Sequence, residues 1–469
     1  MKTLGYSRLA VSLAMIVGVL AVGRAGAAPT VVTLDNGLTL IVEEDHSAPV
    51  AAVYAFVGTG SIYEDQWLGA GLSHLLEHCL DEGTTTRTRE QVQATRAQLG
   101  NNANAWTSKD TTAYYVVTSG AQVLAAIDHV TDYVFHAALP AEQIKTQQGI
   151  IRREMARGDD DPSRTLWELL AATMFRVFPE RHPIIGYPER FAQLTRADVV
   201  AYYERAYVPE NIVLAVVGDF AAEEVLKHLR ATLSALPPRA YRKPVLPAEP
   251  PQTAPRRAVK EQANLSRAYL MVGYRSVSLY SPDMYPLDVA AYILGNGDAA
   301  RLPARLRDEH GLVDAVAAYS ATPAYDAGVF GVSAVLDPAQ LPRAEQAILA
   351  ELRRLQTEPV TAAELSRAKA QKEADLVYSR TTAEGRATGY ASDYLATGDL
   401  GFSERYVAGI RRVTAADIRR VAQQYLVPER QTVAIVRPPG ATTAAAPVAV
   451  PSAPARIERA TLKNGLRLL

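Results

Sequence analysis

The spacing of apolar residues along the chain predicts both buried strands and amphipathic helices. Runs of apolar and β-branched residues at 50–57 and 111–118 are typical of strands. Apolar residues at helical spacing predict helices at 121–135, 141–157 and 361–378. Because strands and long helices are interspersed without a regular βαβ rhythm, the pattern favours an α+β fold.

A pattern of helix, turn and strand occurs twice, near the end of each half of the chain. The first copy combines TRADV at 195–199, VPE at 208–210 and an apolar run at 212–217. The second combines TAADI at 414–418, VPE at 427–429 and an apolar run at 432–436. The Thr and Asp are typical of helix N-termini, and the β-branched runs suit strands. The repeat predicts two homologous sandwich domains, each a mainly antiparallel sheet packed with helices.

The N-terminus has the composition of an export signal. Lys2 and Arg8 accompany a largely apolar segment at 9–22, and Ala25-Gly26-Ala27 offers small residues for cleavage. The apolar run is short, which favours cleavage near Ala27 or Ala28 over an uncleaved membrane anchor. The mature protein is therefore expected in a periplasm or outside the cell, with no stable membrane span.

Proline-rich stretches and a further repeat suggest how the chain is divided. Residues 236–255 contain seven prolines, and residues 438–454 mix proline, alanine and threonine. TLDNGLTL at 33–40 recurs as TLKNGLRL at 461–468, so either a fragment of a tandem protein or a vestigial tail is expected there. The predicted organisation is a signal peptide at 1–28, an N-terminal domain at 30–236, a linker at 237–255, a C-terminal domain at 256–437, a second linker at 438–456 and a truncated repeat at 457–469.

The charge balance bears on the class of partner, and the single cysteine bears on disulfide formation and metal binding. The chain has 49 Lys and Arg residues against 50 Asp and Glu, a net charge of -1. Because no strongly basic block is present, a nucleic-acid partner is not expected. The single cysteine, Cys79, cannot form an internal disulfide, and its predicted direction on a helix favours an apolar packing role over metal ligation.

Candidate chemistry is concentrated in GLSHLLEHCL at 71–80. His74 and His78 are four residues apart, so a helix places both imidazoles on one face, where they can bind one Zn²⁺. Glu77 flanks that face and can act as the general base toward a hydrolytic water. A catalytic zinc needs a third ligand from another element, and Glu154 on the predicted helix at 141–157 is the best candidate.

The sequence resembles the pitrilysin or insulinase family of inverzincin metallopeptidases, which includes mitochondrial processing peptidase and bacterial two-domain relatives. The resemblance implies a zinc endopeptidase of paired homologous α+β domains, in which two halves enclose a chamber for peptides or unfolded segments. It also implies that Asn104 and Ala105 lie on an edge strand and bind extended substrate through main-chain hydrogen bonds. The motifs that carry it are LDNGL at 34–38, Gly60-Ser61, HxxEH at 74–78, EGT at 82–84, NAWT at 104–107, Glu154, YVPEN at 207–211, VGD at 217–219, Arg301-Leu302 and Leu306-Arg307.

Two positions depart from the family pattern. Members often carry a further glutamate seven residues before the ligand glutamate, where this chain has Gln147. Many also use an Arg and a Tyr seven residues later to bind substrate; here Arg307 aligns with the Arg, but Asp314 stands in place of the Tyr. We therefore expect a second homologous half, in trans or from a longer chain, to supply that pair.

Two hypotheses of function follow. The first is a zinc-dependent endopeptidase with Glu77 as general base. The second is a weakly active or non-catalytic subunit that binds peptide and needs a partner half, which Gln147 and Asp314 make possible. Retention of three ligands and Glu77 favours the first.

Overall fold

The computed structural model describes residues 28–158 and 160–440, and two short strands at 460–461 and 467–468. The strands are β1 (Thr30–Thr33), β2 (Thr39–Glu44), β3 (Val50–Val57), β4 (Ala103–Thr107), β5 (Thr112–Ser119), β6 (Ile212–Gly218), β7 (Arg256–Glu261), β8 (Ala268–Arg275), β9 (Ala315–Ala321), β10 (Val329–Leu336), β11 (Gln431–Arg437), β12 (Ala460–Thr461) and β13 (Arg467–Leu468). The helices are α1 (Leu72–Cys79), α2 (Arg89–Gln98), α3 (Val123–His136), α4 (Ala141–Gly158), α5 (Pro162–Met174), α6 (Pro188–Phe191), α7 (Arg196–Ala206), α8 (Ala222–Leu233), α9 (Met284–Gly295), α10 (Leu341–Thr357), α11 (Ala362–Ser379), α12 (Ala383–Thr397), α13 (Phe402–Arg412) and α14 (Ala415–Tyr425).

The five strands of the second main sheet have the same topology as five of the six strands of the first. The first has the order β1-β2-β6-β3-β5-β4 and the second β7-β11-β8-β10-β9. In each sheet one neighbouring pair is parallel, β2 with β6 and β7 with β11, and the other pairs are antiparallel. The second sheet therefore repeats the arrangement of β2 to β6. The predicted α+β fold with two mainly antiparallel sheets is confirmed.

The repeated helix, turn and strand also has the predicted form. Thr195 caps α7 and exchanges hydrogen bonds with Asp198, and Thr414 caps α14 and does the same with Asp417. In each copy a 3₁₀ turn that starts at a proline leads into a strand of its sheet, β6 or β11. These strands lie in the sheet interior, which explains their unbroken apolar runs.

The two halves exchange a helix, which the sequence did not predict. Helix α5 belongs to the first half but packs on the second sheet, against β7, β8 and β11. Helix α12 belongs to the second half but packs on β3 and β6 of the first sheet. One face of each sheet is therefore covered by a helix from the other half, and the halves share two apolar clusters.

The boundaries of the predicted domains stay a prediction. Residues 237–254, within the expected linker, contain neither helix nor strand. The expected signal peptide at 1–28 lies almost wholly outside the described residues, as do most of the segments at 438–456 and 457–469. Within the described residues, no helix combines the length and the apolar character that a bilayer crossing requires.

Candidate active site

Helix α1 presents two different faces. Leu72, Leu75, Leu76 and Cys79 are fully buried in the first core, whereas the three polar residues on its other side are half-buried. The burial of Cys79 confirms its predicted packing role. The apolar spacing of this short helix therefore aims His74, Glu77 and His78 away from the core.

Two residues define the start of α1. Gly71 has φ of 72°, and a Cβ there would lie 2.0 Å from the carbonyl oxygen of Ile185, so the position requires glycine. The buried carboxyl of Glu64 accepts a hydrogen bond of 2.8 Å from the N–H of Ser73. Burial raises the pKa of Glu64 to about 8. The side chain of Glu64, which lies outside α1, thus accepts a hydrogen bond from a main-chain N–H in the first turn of the helix, next to His74.

The three predicted zinc ligands come together between α1 and α4. Nε2 of His74 lies 3.8 Å from one carboxylate oxygen of Glu154, and Nε2 of His78 lies 3.8 Å from the other. One ligand atom of each residue falls within 4.8 Å of the others, so the group could hold a metal ion.

This donor set fits zinc. Two imidazole nitrogens and a carboxylate form a common catalytic zinc triad. At Zn–ligand distances of about 2.0–2.1 Å, two ligands at tetrahedral angles lie about 3.4 Å apart, so the observed separations need only small side-chain adjustments. Burial lowers the pKa of His74 to about 3, which keeps that imidazole neutral, as ligation requires. The side chain of Glu154 is 44% exposed, so one side of the group is open.

Glu77 lies beside the donor group and is held from β4. Its Oε2 accepts a hydrogen bond of 2.6 Å from the hydroxyl of Thr107. Burial raises the pKa of the Glu77 carboxyl, and the hydrogen bond from Thr107 opposes that rise. A raised carboxyl pKa suits a group that accepts and returns a proton near neutral pH. Sequence reasoning assigned no role to Thr107, although it belongs to the NAWT motif.

Strand β4 forms one edge of the first sheet among the described residues. In the register with β5, Asn104 lies opposite Tyr115 and Ala105 opposite Tyr114. Hydrogen bonds join residues 102 with 117 and 108 with 111 in the same register. Because hydrogen-bonded pairs alternate in an antiparallel ladder, the main chain of Asn104 faces β5, and the main chains of Ala105 and Thr107 face the open edge. Of the two predicted substrate residues, Ala105 offers its main chain and Asn104 only its exposed side chain.

Two cavities meet at the middle of this edge. One has a volume of about 450 Å³ and is lined by His74, Glu77, Ala105 and Glu154, and also by Trp167 of α5. The other has a volume of about 360 Å³ and is lined by Glu77, His78, Asn104 and Ala105. Trp167 packs edge-to-face on Tyr319 of the second half. Space therefore extends along β4 on both sides of Glu77.

Comparison with known proteins agrees with this geometry. The family model described as insulinase (peptidase family M16) matches residues 39–187, which include the three donors and Glu77. The model described as the peptidase M16 inactive domain matches residues 193–372. The chain belongs to peptidase family M16, the insulinase family. The predicted family is confirmed.

Relatives named as zinc proteases match most of this chain. An uncharacterised zinc protease of Mycobacterium tuberculosis is 27% identical over 420 residues, covering 89% of this chain and 94% of the relative. The uncharacterised zinc protease YmxG of Bacillus subtilis is 22% identical and covers 87% of this chain and 98% of its own length. Among solved structures, a Helicobacter pylori protease has a TM-score of 0.82 at 24% identity, covering 88% of this chain and 100% of that one. A Pseudomonas fluorescens structure described as a peptidase M16 inactive domain has a TM-score of 0.80 at 17% identity, covering 90% and 100%. These structures show the M16 two-domain fold.

The two departures from the M16 pattern have different surroundings. Gln147 is buried against His78, with Oε1 3.2 Å from Nδ1 of the imidazole. Arg307 lies instead in a π-helical turn of the second half, where its guanidinium binds Asp298 and Asp308. Asp314 forms an ion pair of 2.7 Å with Arg267. Neither Arg307 nor Asp314 lines the two cavities at β4.

Proposed function

We propose that this protein is a zinc-dependent endopeptidase that cleaves peptides or unfolded segments. The convergence of His74, His78 and Glu154 beside Glu77 is the observation that carries the proposal. Membership of the M16 family and the relatives named as zinc proteases support it. A non-catalytic subunit has no chemical need for three metal donors that leave an open side.

In the proposed reaction, His74, His78 and Glu154 would hold one zinc ion. A bound zinc ion would polarise the scissile carbonyl and make a water molecule more acidic. Glu77 takes a proton from the attacking water and returns it to the leaving amine. The hydroxyl of Thr107 keeps the Glu77 carboxylate beside the donor group during both transfers.

The open edge of β4 is proposed to bind the substrate main chain. An extended peptide that pairs with Ala105 and Thr107 would pass next to Glu77, which contacts Thr107 directly. The exposed side chain of Asn104 would contact the peptide from the same strand. The cavities on the two sides of Glu77 leave room for residues before and after the scissile bond. Binding through the main chain implies loose side-chain specificity.

We further propose that the active enzyme includes a second homologous half and works in a periplasm or outside the cell. The guanidinium of Arg307 is bound by two carboxylates, and Asp314 replaces the family tyrosine, so a partner half would supply the Arg/Tyr pair. The charged and apolar pattern of residues 1–28 supports export. Full-rate peptide cleavage by monomeric protein would contradict the first point, and a mature N-terminus that retains residues 1–27 would contradict the second.

The test of the catalytic proposal compares wild type with Glu77→Gln. We expect both proteins to bind one zinc ion per chain by metal analysis, because Glu77 is not a ligand. Cleavage of a quenched fluorescent peptide, measured with the partner half present, should fall by about 10²–10⁴-fold in the variant, since the general base is lost. A His78→Ala variant should lose both zinc and cleavage. Unchanged turnover in Glu77→Gln would remove Glu77 from the mechanism, and zinc binding by wild type without chelator-sensitive cleavage would favour a peptide-binding subunit.

A further inference from the structure

A chain of three polar side chains, Gln147, Glu82 and Arg89, leads away from His78 on the side opposite Glu154. Nδ1 of His78 lies 3.2 Å from Oε1 of Gln147. Nε2 of Gln147 donates a hydrogen bond of 2.8 Å to one oxygen of Glu82. The other oxygen of Glu82 accepts a bond of 2.5 Å from Arg89. Gln147 is 7% exposed and Glu82 is 5% exposed, so the hydrogen bond between them is shielded from water, whereas the side chain of Arg89 is 46% exposed.

The carboxylate of Glu82 determines the direction of the hydrogen bonds between it and His78. Glu82 forms an ion pair with Arg89, and a carboxylate can only accept hydrogen bonds. The amide of Gln147 must then turn its NH₂ toward Glu82 and its carbonyl oxygen toward His78. A carbonyl oxygen cannot donate, so the hydrogen between Gln147 and His78 belongs to Nδ1 of the imidazole. The neutral ring consequently has its lone pair on Nε2, which faces Glu154.

We propose that Glu82 and Gln147 act as a positioning pair that holds His78 in the Nδ1–H tautomer and so presents its Nε2 lone pair to the metal. The inference rests on the proposed zinc site. It assigns a function to the residue that replaces the family glutamate: an amide can orient the imidazole as a carboxylate would, provided that a second carboxylate fixes the direction of the amide. In this chain Glu82 is that second carboxylate.

Among the described residues, His74 has no corresponding hydrogen bond that would fix its tautomer. Nδ1 of His74 is buried and has no hydrogen-bond partner among the described residues. Disturbing Glu82 should therefore alter the tautomer of His78 and leave that of His74 as it was. This difference between two neighbouring imidazoles provides an internal control in a single spectrum.

The decisive variant is Glu82→Gln. Its new amide can donate to Gln147, which allows the Gln147 amide to rotate and turn its NH₂ toward His78. That rotation favours the Nε2–H tautomer, in which Nε2 has no lone pair for a metal. Arg89→Met is the matched control, because it removes the same ion pair but leaves a carboxylate facing Gln147. Gln147→Met, whose thioether is only a weak acceptor, should behave like Glu82→Gln.

Two measurements test the proposal on the full chain. In metal-free protein at about pH 8.5, above the usual histidine range, ¹⁵N-imidazole NMR should show His78 as Nδ1–H in wild type and Arg89→Met and shifted toward Nε2–H in Glu82→Gln. Chelator competition should show zinc binding about 10–100-fold weaker in Glu82→Gln, with Arg89→Met close to wild type.

The outcomes separate this inference from the proposed function. An unchanged His78 tautomer in a folded Glu82→Gln protein would overturn the inference. So would an equal loss of zinc affinity in Arg89→Met, which would indicate that the ion pair, not the amide direction, matters. If wild type binds no zinc but its His78 is Nδ1–H, the proposed function fails while the positioning by Glu82 and Gln147 stands.

Discussion

The hydroxyl of Thr107 is the single contact that most directly adjusts the proton affinity of Glu77. Burial raises the pKa of Glu77, and the 2.6 Å hydrogen bond from Thr107 stabilises its charged form. In Thr107→Val that bond is lost, so the pKa of Glu77 should rise further. A hydrogen bond to a charged group is worth about 1.5–3 kcal/mol, so we expect the acidic limb of the kcat/KM profile to move up by about one to two pH units.

The matched control for this change is Thr107→Ser. It keeps the hydroxyl, so its pH profile should follow wild type even if the loss of a methyl group lowers turnover. An acidic limb at the same pH in all three proteins would show that Thr107 does not act on Glu77.

Single residues also show how far the sequence could predict the site. The spacing of His74 and His78 on one helix and the choice of Glu154 follow from ligand chemistry, and the structure brings all three together. Thr107 and Glu82 were visible only as members of motifs. Their partners, Glu77 and Gln147, lie on other elements, so their contacts depend on how strands and helices pack and not on local spacing.

At the scale of elements, the Arg301-Leu302 motif stabilises the start of α11. Nε of Arg301 binds one oxygen of Glu364 at 2.6 Å and Nη2 binds the other at 3.0 Å. Glu364 also completes the capping box of α11 with Thr361. Hydrogen bonds from Arg301 are the largest cause that lowers the pKa of Glu364, to about 2. This motif, which the resemblance alone made notable, therefore has a structural role.

The lowered pKa gives Glu364 a definite pH dependence. The carboxyl is easier to ionise in the fold than in the unfolded chain, so its stabilisation is present above the ordinary pKa of about 4.5 and is lost as the pH falls toward 2. Glu364→Gln should lower the free energy of unfolding by roughly 1–3 kcal/mol at pH 7. The difference from wild type should shrink between pH 5 and pH 3, as measured by urea unfolding at each pH.

Glu358→Gln is the control for that series. Glu358 also pairs with an arginine, Arg354, but its side chain is 52% exposed. An exposed ion pair contributes little to stability, so this variant should differ little from wild type at any pH. A Glu364 effect that stays constant from pH 7 to pH 3 would contradict the assignment.

At the scale of the whole molecule, the pattern of the sequence predicted two similar sheets but not how they are joined. The apolar residues of α5 mark a face that must be buried. They do not reveal that the burying surface is the second sheet, where Leu170 and Met174 meet Met271 and Val436. A helix pattern specifies the buried face, whereas the partner depends on contacts between residues far apart in sequence.

The exchange of α5 and α12 predicts that the halves hold together without their linker. Val245, in the proline-rich segment, is 97% exposed, so a specific protease site inserted there can be cut in the folded protein. Because each half buries a helix on the other's sheet, the two fragments should co-elute in size-exclusion chromatography after cleavage. They should also unfold in one transition, and the cleaved protein should keep its zinc.

Weakening the packing of one exchanged helix distinguishes association through α5 and α12 from nonspecific association of the fragments. Leu170 of α5 is 1% exposed among residues of the second sheet, and Leu→Ala at such a site costs about 2–5 kcal/mol. Leu170→Ala should therefore lower the urea concentration at which the cut fragments separate. Val245→Ala, at an exposed position, should leave it unchanged. If the wild-type fragments part immediately after cleavage without denaturant, the two halves are held by the linker, and the exchanged helices do not make them one folding unit.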